Sequence, residues 1–194
     1  MGGLMRRREL LKVPSAGPAP MPTVLFEITE PLTVTSNYDG QSYGYTFDFA
    51  DIFGKDFTIT FSLTQGSSAG NVSSPWLLGG YRGNNSLAFT KWGSGNYRYC
   101  ADSWSNLETA ITQAAGISAK FVFVGRFSNK SATSYTILNG VTDVRNNSTF
   151  FNNTTSAGTQ NITFGKYNWA GTIHDFTIYD GELTEQQIMD YLGA

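Results

Sequence analysis

Cysteine, histidine and charged residues are all scarce in this sequence. Cys100 is the only cysteine, so no intrachain disulfide can form and the fold does not depend on an oxidising compartment. His174 is the only histidine, and no base-orienting motif accompanies it, which argues against Ser-His-Asp catalysis and against a zinc site. Charged residues make up 14% of the chain, well below the average of about 25%.

Long apolar runs and broad basic regions are missing as well. No run reaches the ~18 apolar residues of a membrane span. The net charge is −2, and basic residues concentrate at the N-terminus, where Arg6, Arg7, Arg8 and Lys12 are opposed only by Glu9. The remainder of the chain is therefore mildly acidic, which argues against nucleic-acid binding. No apolar stretch follows the basic residues, so we expect no secretory signal peptide.

Aromatic residues and glycines are plentiful, and apolar residues recur with a period of two. The chain has 14 Phe, 10 Tyr and 21 Gly. In 56–63, apolar residues alternate with threonine and serine, which predicts a strand with one apolar face. Asn139-Gly140 between two apolar runs predicts a hairpin turn. The same reasoning predicts strands at 23–29, 56–63, 76–81, 86–92, 96–101, 120–127, 133–138, 161–167 and 171–180.

These strands, without long helices between them, predict an all-β fold. We expect a two-sheet antiparallel jelly-roll sandwich formed by residues 23–194. A short C-terminal helix is predicted after Thr184, because Thr184 and Gln187 fit a capping box and Gly193 fits the terminating position. The composition of residues 106–115 also predicts one or two helical turns.

The first 22 residues differ from the rest of the chain. Four prolines fall in residues 13–22, and they favour extended polyproline geometry. We therefore expect residues 1–22 to form an extended N-terminal arm outside the core. The arm is either a disordered tail or an anchor that docks onto a larger assembly through Arg6, Arg7, Arg8 and Lys12.

Several segments resemble laminin-G-like domains, which belong to the concanavalin A-like lectin and glucanase jelly rolls. The most specific is Gly171-Thr172-Ile173-His174-Asp175-Phe176-Thr177-Ile178-Tyr179, followed by the helix pattern 183–188. Other similar segments, in the family's order, are 38–45, 56–59, 78–80, 135–140 and 162–165. The resemblance covers roughly residues 38 to 193. It departs at His174, where the family usually has aspartate, and we interpret His174 as a half-buried strand residue.

The resemblance implies a binding domain rather than an enzyme. Glycosidases of this fold carry paired carboxylates on one strand, as Glu-x-Asp-x-x-Glu or a close variant, and none of the glutamates in this sequence forms that motif. No cofactor is required by the sequence itself. Calcium is the cation that the resemblance implies, with Asp39 and Asp102 as candidate ligands near turns. The alternative is that these carboxylates are solvated turn residues.

A glycan site is the sharper hypothesis. Sugars stack on flat aromatic rings and form hydrogen bonds with amide, guanidinium and carboxylate groups. Residues 76–106 are rich in both kinds of side chain, although any one aromatic ring there could instead belong to the core. The candidate ligand-binding residues are Trp92, Trp104, Tyr97, Tyr81, Arg82, Asn84 and Trp169.

These features together favour a non-catalytic, lectin-like module. We expect a phage virion protein, such as a capsid decoration, head fibre or tail appendage, which docks on other virion proteins through residues 1–22. The jelly-roll domain would then bind a cell-surface glycan. It would do so either on the virion surface or outside the cell after lysis. A homotrimer would suit a fibre. The alternatives are a carbohydrate-binding module of a bacterial surface or secreted protein and a degenerate glycoside hydrolase.

Overall fold

The computed structural model describes residues 19–36, 39–66, 72–78, 86–92, 96–101, 105–112, 115–151 and 162–194. These residues form twelve strands, a 3-10 turn at Phe49–Asp51 and one helix. The strands are β1 (Thr23–Ile28), β2 (Leu32–Val34), β3 (Asp56–Gln65), β4 (Val72–Leu78), β5 (Leu87–Trp92), β6 (Asn96–Ala101), β7 (Ser105–Thr112), β8 (Ser118–Arg126), β9 (Ser131–Leu138), β10 (Val141–Asn147), β11 (Ile162–Lys166) and β12 (Gly171–Asp180). The helix, α1, is Glu185–Leu192.

The strands form two sheets that pack face to face. The large sheet has the order β1-β12-β3-β8-β9-β10, and β2 also pairs with β12. The small sheet has the order β11-β4-β5-β6-β7. Neighbouring strands are antiparallel in both sheets. The predicted two-sheet antiparallel sandwich is therefore confirmed, and the edge strand β10 of the large sheet lies against β7 of the small sheet.

Alternation along β3 explains how the sheets hold together. Phe57, Ile59, Phe61 and Leu63 point into the core and are fully buried. The ring of Phe61 lies 4.9 Å from the ring of Phe121 on the same sheet, and it also contacts aromatic rings of β4 and β5. Each such aromatic pair contributes about 0.5–1.5 kcal/mol beyond the area that it buries. The intervening threonines and Ser62 are left on the outer face of the large sheet.

Local sequence signals located most of these elements. The strands predicted at 23–29, 56–63, 86–92, 96–101, 120–127, 133–138, 161–167 and 171–180 are present, with ends that differ by at most two residues. Leu138 pairs with Val141 across the predicted hairpin. Both turn residues have positive φ, 51° at Asn139 and 76° at Gly140, which is the geometry that this dipeptide favours.

Two predictions about the small sheet were wrong in detail. The helical turns predicted at 106–115 are wrong for residues 106–112, because Ser105–Thr112 is strand β7. Pairing with β6 overrides the modest helix propensity of this short segment. The strand predicted at 76–81 begins earlier, at Val72 in β4. It continues through Pro75, where the register shifts against β5, and proline is tolerated at such a bulge because no ladder donor is needed.

The C-terminal helix forms as predicted. The Thr184 hydroxyl accepts a hydrogen bond from Gln187 N, and the Gln187 side chain accepts one from Thr184 N. Gly193 ends the helix with a φ of 75°. Ile188 and Leu192 pack on the outer face of the large sheet, against Val122 and Val124 among others. This helix is the longest in the part of the chain that the structure describes, and it is too short to cross a membrane.

Residues 19–22 lead into β1 without regular structure. The side-chain nitrogen Nε2 of Gln187 in α1 donates a hydrogen bond to the Ala19 carbonyl at 3.0 Å, so this end of the predicted arm lies beside the helix. Residues 1–18, including Arg6, Arg7, Arg8 and Lys12, lie outside the described residues, and their predicted anchoring role stays a prediction.

Candidate functional site

Strand β6 has one face in the core and one facing outward. Tyr97 and Tyr99 alternate inward and are fully buried. Asn96 and Arg98 therefore fall on the outer face of the small sheet, where both are partly exposed. The outer face of β6 thus carries polar groups that can form hydrogen bonds, while the two aromatic rings stabilise the sandwich.

A cleft opens where the outer face of β6 and β7 meets the edge strand β10. It has a volume of about 350 Å³, and the side chains of Asn96, Glu108, Thr109 and Arg145 line it. Two of these residues come from β7, one from β6 and one from the opposite sheet. We call this feature the sheet-edge cleft, and its position depends on the contact between β7 and β10.

Glu108 connects the polar groups on one wall of the sheet-edge cleft. Arg98 Nη2 donates to Glu108 Oε2 at 3.0 Å, and Asn96 Nδ2 donates to Glu108 Oε1 at 3.1 Å. The Arg98 side chain is only 17% exposed, while that of Glu108 is 42% exposed. The carboxylate is therefore held in a fixed position at the surface, with its arginine partner largely desolvated behind it.

Arg145 forms the opposite wall. Its Nε donates to both carboxylate oxygens of Asp143, at 2.9 and 3.2 Å. The Arg145 side chain is 46% exposed, whereas Asp143 is mostly buried. Asp143 thus holds the Nε edge of the guanidinium group, while the terminal nitrogens of Arg145 lie at the mouth of the cleft as hydrogen-bond donors. The lining combines amide, guanidinium and carboxylate groups with nearly balanced charge.

An irregularity in the pairing of β6 and β7 shapes the floor of the cleft. Asn96 pairs with Thr112, but Arg98 pairs with Glu108, so β7 has extra residues between these two pairs. Thr109 lies in this bulge and donates its hydroxyl hydrogen to the Tyr97 carbonyl at 3.0 Å. Bulges of this kind change the direction of side chains and recur next to functional sites.

Two of the predicted glycan-binding residues are inside the sandwich. Tyr97 and Trp169 have no exposed surface. The Tyr97 ring stacks on Phe89 at 4.7 Å, and its hydroxyl donates to Gln65 Oε1 at 2.9 Å while accepting from Trp169 Nε1 at 3.2 Å. Burial raises the pKa of Tyr97. Neither ring offers a face to a sugar in this structure, because both belong to the core.

The remaining predicted glycan-binding residues are not described at the side-chain level. Trp92 is the last residue of strand β5, and only the backbone of Trp92 is described. Tyr81, Arg82, Asn84 and Trp104 lie outside the described residues. Their proposed contacts with a sugar stay predictions.

The calcium prediction is also untested. Asp39 is exposed in the segment before the short bridge between Gln41 and Phe164, and Asp102 lies outside the described residues. Within the ranges that the structure describes, no group of three or more His, Cys, Asp or Glu side chains is placed to hold a metal ion.

Sequence reasoning missed the residues that line the sheet-edge cleft. The aromatic ring made Tyr97 the candidate on β6, although the period-two pattern places Asn96 and Arg98 on the opposite, outward face. Glu108 was missed because its segment was interpreted as helical. Arg145 was missed because β10 is a polar edge strand. The alternation in β6 is the one signal that could have identified part of the site.

Comparison with known sequences does not assign the chain to a family. No family model and no curated protein sequence matches the chain. The laminin-G-like naming therefore stays a resemblance.

Solved structures do match. The carbohydrate-binding module (CBM40) of the Ruminococcus gnavus IT-sialidase, bound to α2,3-sialyllactose, has 15% identity and a TM-score of 0.65 over 89% of this chain and 100% of that module. The leech intramolecular trans-sialidase has 17% identity and a TM-score of 0.61 over 91% of this chain and 28% of its own length. A SAP-like pentraxin from Limulus polyphemus has 12% identity and a TM-score of 0.55 over 82% of this chain and 80% of its own. The chain therefore has the concanavalin A-like sandwich fold.

Proposed function

We propose that this chain is a non-catalytic carbohydrate-binding module and that the sheet-edge cleft is its sugar site. The observation that carries the proposal is the convergence of Asn96, Glu108 and Arg145 on one open cleft. Sugar hydroxyls donate and accept hydrogen bonds at once, so a sugar site needs both kinds of partner at fixed positions. The Arg98–Glu108–Asn96 contacts fix the acceptor, and Arg145 supplies donors.

The dimensions of the cleft suit a short glycan. Ligand sites commonly have volumes of about 300–1,000 Å³, and the sheet-edge cleft, at about 350 Å³, falls near the lower end of that range. One or two sugar residues would fill it. Trp92 and Trp104, which are close in sequence to β6, stay our candidates for a ring that stacks on the sugar.

A sialylated glycan is the first ligand to test. The R. gnavus module that shares this fold was solved with α2,3-sialyllactose and with α2,6-sialyllactose. Sialic acid carries a carboxylate, and the exposed guanidinium of Arg145 can pair with such a group in a bidentate manner.

The cleft chemistry favours binding over hydrolysis. A glycosidase needs two carboxyl groups that flank the scissile bond, one to donate a proton and one to attack or to activate water. Among the described residues, Glu108 is the carboxylate that lines the cleft and Asp143 lies beside it, and each accepts hydrogen bonds from an arginine. Such ion-paired carboxylates suit recognition of a polar ligand.

A glycan array with the full chain, with and without calcium, tests the proposal. We expect binding to sialylated glycans to exceed binding to their neutral counterparts, with α2,3-sialyllactose and lactose as the matched pair. The double variant Asn96→Ala/Arg145→Ala should lose the signal, whereas Arg126→Ala, which removes a surface ion pair elsewhere, should keep it. A folded protein that binds no glycan in either condition would contradict the proposal.

We also propose, as the finer hypothesis, display of this module on a virion through residues 1–22. The topology supports it, because β1 and β10 lie at opposite edges of the large sheet. An arm that leads into β1 would anchor one edge and leave the sheet-edge cleft free at the other. Copurification of the full chain, but not of residues 23–194, with assembled particles would support this role, and a monomer that never associates would count against it.

A further inference from the structure

A second cavity lies on the other side of the molecule, under the C-terminal end of α1. Its volume is about 280 Å³. We call it the helix pocket. Its lining comes from β3, β8, β9, β12, the β9–β10 turn and α1, and the lining residues are Ser62, Ser118, Ala119, Lys120, Ile137, Asn139, Gly140, His174 and Leu192.

One row of paired residues crosses the sheet beneath the helix pocket. Ile137 pairs with Lys120, Lys120 with Ser62, and Ser62 with Asp175. These four residues occupy adjacent positions on β9, β8, β3 and β12. All four side chains point outward from the large sheet. An apolar group, an ammonium, a hydroxyl and a carboxylate therefore lie side by side on its outer face.

A β-bulge turns His174 toward the same surface. Ile173 pairs with Leu63 and Asp175 pairs with Ser62, so His174 is an extra residue in β12. Its Nε2 lies 2.7 Å from the Thr64 hydroxyl, which in turn contacts the Ser118 hydroxyl at 2.5 Å. His174 is half-buried on its strand, as the sequence predicted, and the bulge places its ring in the lining of the pocket.

Hydrogen bonds within the protein already occupy Asp175. Ser62 Oγ donates to one carboxylate oxygen, and Tyr191 Oη of α1 donates to the other at 2.6 Å. Asp175 is not part of the pocket lining. Burial, followed by the charge of Asp175, raises the pKa of Tyr191, so its hydroxyl stays protonated and keeps donating. The network holds α1 against the sheet and leaves the pocket without a carboxylate among its described lining residues.

Lys120 brings positive charge to the pocket. Its Nζ donates to the Tyr191 carbonyl at 2.7 Å and lies 5.3 Å from the centre of the Tyr191 ring. An ammonium group has three donors, and this carbonyl uses one of them. Ser118, His174 and Asn139 add neutral polar groups around it, while Ile137 and Leu192 supply an apolar surface. The lining thus combines one cation with an apolar wall.

We propose that the helix pocket is a second ligand site, for a small organic carboxylate. The carboxylate of the ligand would lie against Lys120, within reach of Ser118 and His174, and its carbon skeleton would lie on Ile137 and Leu192. A free aliphatic acid and the acid group of a uronic acid sugar share this chemistry. The proposal does not depend on glycan binding at the sheet-edge cleft, because no residue lines both cavities.

The arrangement does not form a nucleophilic serine. The Ser62 hydroxyl donates to Asp175, and the His174 ring bonds to Thr64 instead of Ser62. A catalytic serine needs a base that accepts its proton and then returns it to a leaving group. Ser62 therefore lacks the base that a nucleophilic serine needs, and the proposal for this pocket concerns binding.

A ¹H–¹⁵N NMR titration of the full chain tests the proposal with four probes: hexanoate, its neutral match hexan-1-ol, glucuronate and its neutral match glucose. We expect saturable shifts at Ser118, Lys120, Gly140 and Leu192 with at least one acid, and a Kd on the order of 1 mM. The matched neutral compound should bind about tenfold more weakly, since a charge-assisted hydrogen bond is lost. Binding of hexanoate alone identifies a free acid as the ligand, and binding of glucuronate alone identifies a sugar acid.

Variants of Lys120 supply the second arm of the test. Lys120→Met should raise the Kd about tenfold or more, while Lys120→Arg should keep it close to that of the wild type. If Lys120→Met loosens α1, Ser118→Tyr provides an independent variant, because it fills the exposed side of the pocket and leaves Lys120 in place. Equal binding of acid and neutral match, no shift at about 100 mM acid, or an unchanged Kd in a folded Lys120→Met protein would overturn the proposal.

Discussion

One cavity of this sandwich lies at an edge where the two sheets meet and the other lies on the outer face of the large sheet, and both are shaped by β-bulges. In the sheet-edge cleft, the register shift between β6 and β7 sets the position of Thr109 and Glu108. In the helix pocket, the register shift between β12 and β3 inserts His174. The two sites differ in the groups that form hydrogen bonds with their carboxylates. Each ion pair at the cleft keeps one member exposed, Glu108 in one and Arg145 in the other, whereas the hydroxyls that bind Asp175 beside the helix pocket are buried or half-buried.

This difference separates polar groups that hold the fold together from polar groups that are exposed at the surface of the cleft. A polar group that is buried and bonded within the protein costs about 1–3 kcal/mol when its partner is removed, because the remaining group is desolvated and unpaired. An exposed ion pair contributes about 0–1 kcal/mol, because water replaces the lost partner. We therefore expect substitutions beside the helix pocket to lower stability and substitutions in the sheet-edge cleft to lower ligand affinity.

The largest effect is expected at Asp175. Asp175→Ala leaves the hydroxyls of Ser62 and Tyr191 without their acceptor, so the free energy of unfolding should fall by about 2–4 kcal/mol in urea denaturation. The matched control is Asp143→Ala beside the cleft, which should cost about 0–1 kcal/mol because the remaining partner, Arg145, is exposed and stays hydrated. Equal losses in the two variants would abolish the distinction between the two sites.

The next effect concerns alkaline pH. Burial raises the pKa values of Tyr97, Tyr99 and Tyr191 in the folded state, so above pH ~10 the unfolded chain binds fewer protons than the folded chain. Stability is therefore complete below pH ~10 and is lost as pH rises, by about 1.4 kcal/mol per pH unit for each such tyrosine. Tyr191→Phe removes one of these tyrosines, so the free energy of unfolding should fall less steeply with pH, by about 1.4 kcal/mol per pH unit. Urea denaturation at several pH values above pH ~10 measures this slope. An unchanged slope would show that the Tyr191 hydroxyl is not buried against Asp175.

A smaller effect is expected at the start of α1. Thr184→Ala removes the N-cap acceptor of Gln187 N and should cost about 1 kcal/mol of stability. The control is Thr142→Ala on the exposed edge strand β10, which should change stability by less than about 0.5 kcal/mol. Ligand binding in the sheet-edge cleft should be the same in both variants, and a loss of glycan binding in Thr184→Ala would mean that the two faces are coupled.

The smallest effect on stability is expected in the cleft itself. Glu108→Gln keeps the size of the side chain and an acceptor for Asn96, but it removes the negative charge that pairs with Arg98. Stability should fall by about 0–1 kcal/mol, while glycan affinity measured by calorimetry should fall about tenfold because the acceptor for sugar hydroxyls is weakened. A stability loss as large as that of Asp175→Ala would assign Glu108 to the fold instead of the site.

Local signals in the sequence predicted much of the fold. The alternation in β3, the Asn139-Gly140 hairpin and the capping box at Thr184 each depend on residues that are neighbours in the chain. Strand β7 could not be predicted in this way, because only its pairing with β6 decides between helix and strand. The short strand β2 and the polar edge strand β10 likewise depend on neighbours that are distant in sequence.

The candidate site was harder to predict than the fold. The site joins β6, β7 and β10, and their proximity follows from the packing of one sheet edge on the other. Aromatic content pointed to Tyr97 and Trp169, which the structure places in the core. The bulge that inserts His174 has no signature in the sequence, because it is defined only by the pairing of β12 with β3.

Mapping of a bound sugar by NMR shows whether the sheet-edge cleft is the sugar site. The full chain, labelled with ¹⁵N, is titrated with α2,3-sialyllactose and, in parallel, with lactose. We expect the sialylated sugar to cause saturable shifts centred on Asn96, Arg98, Glu108 and Arg145, and we expect these shifts to disappear in Asn96→Ala/Arg145→Ala. Saturable shifts that centre elsewhere, or that persist unchanged in the folded double variant, would contradict the assignment of the sheet-edge cleft as the sugar site.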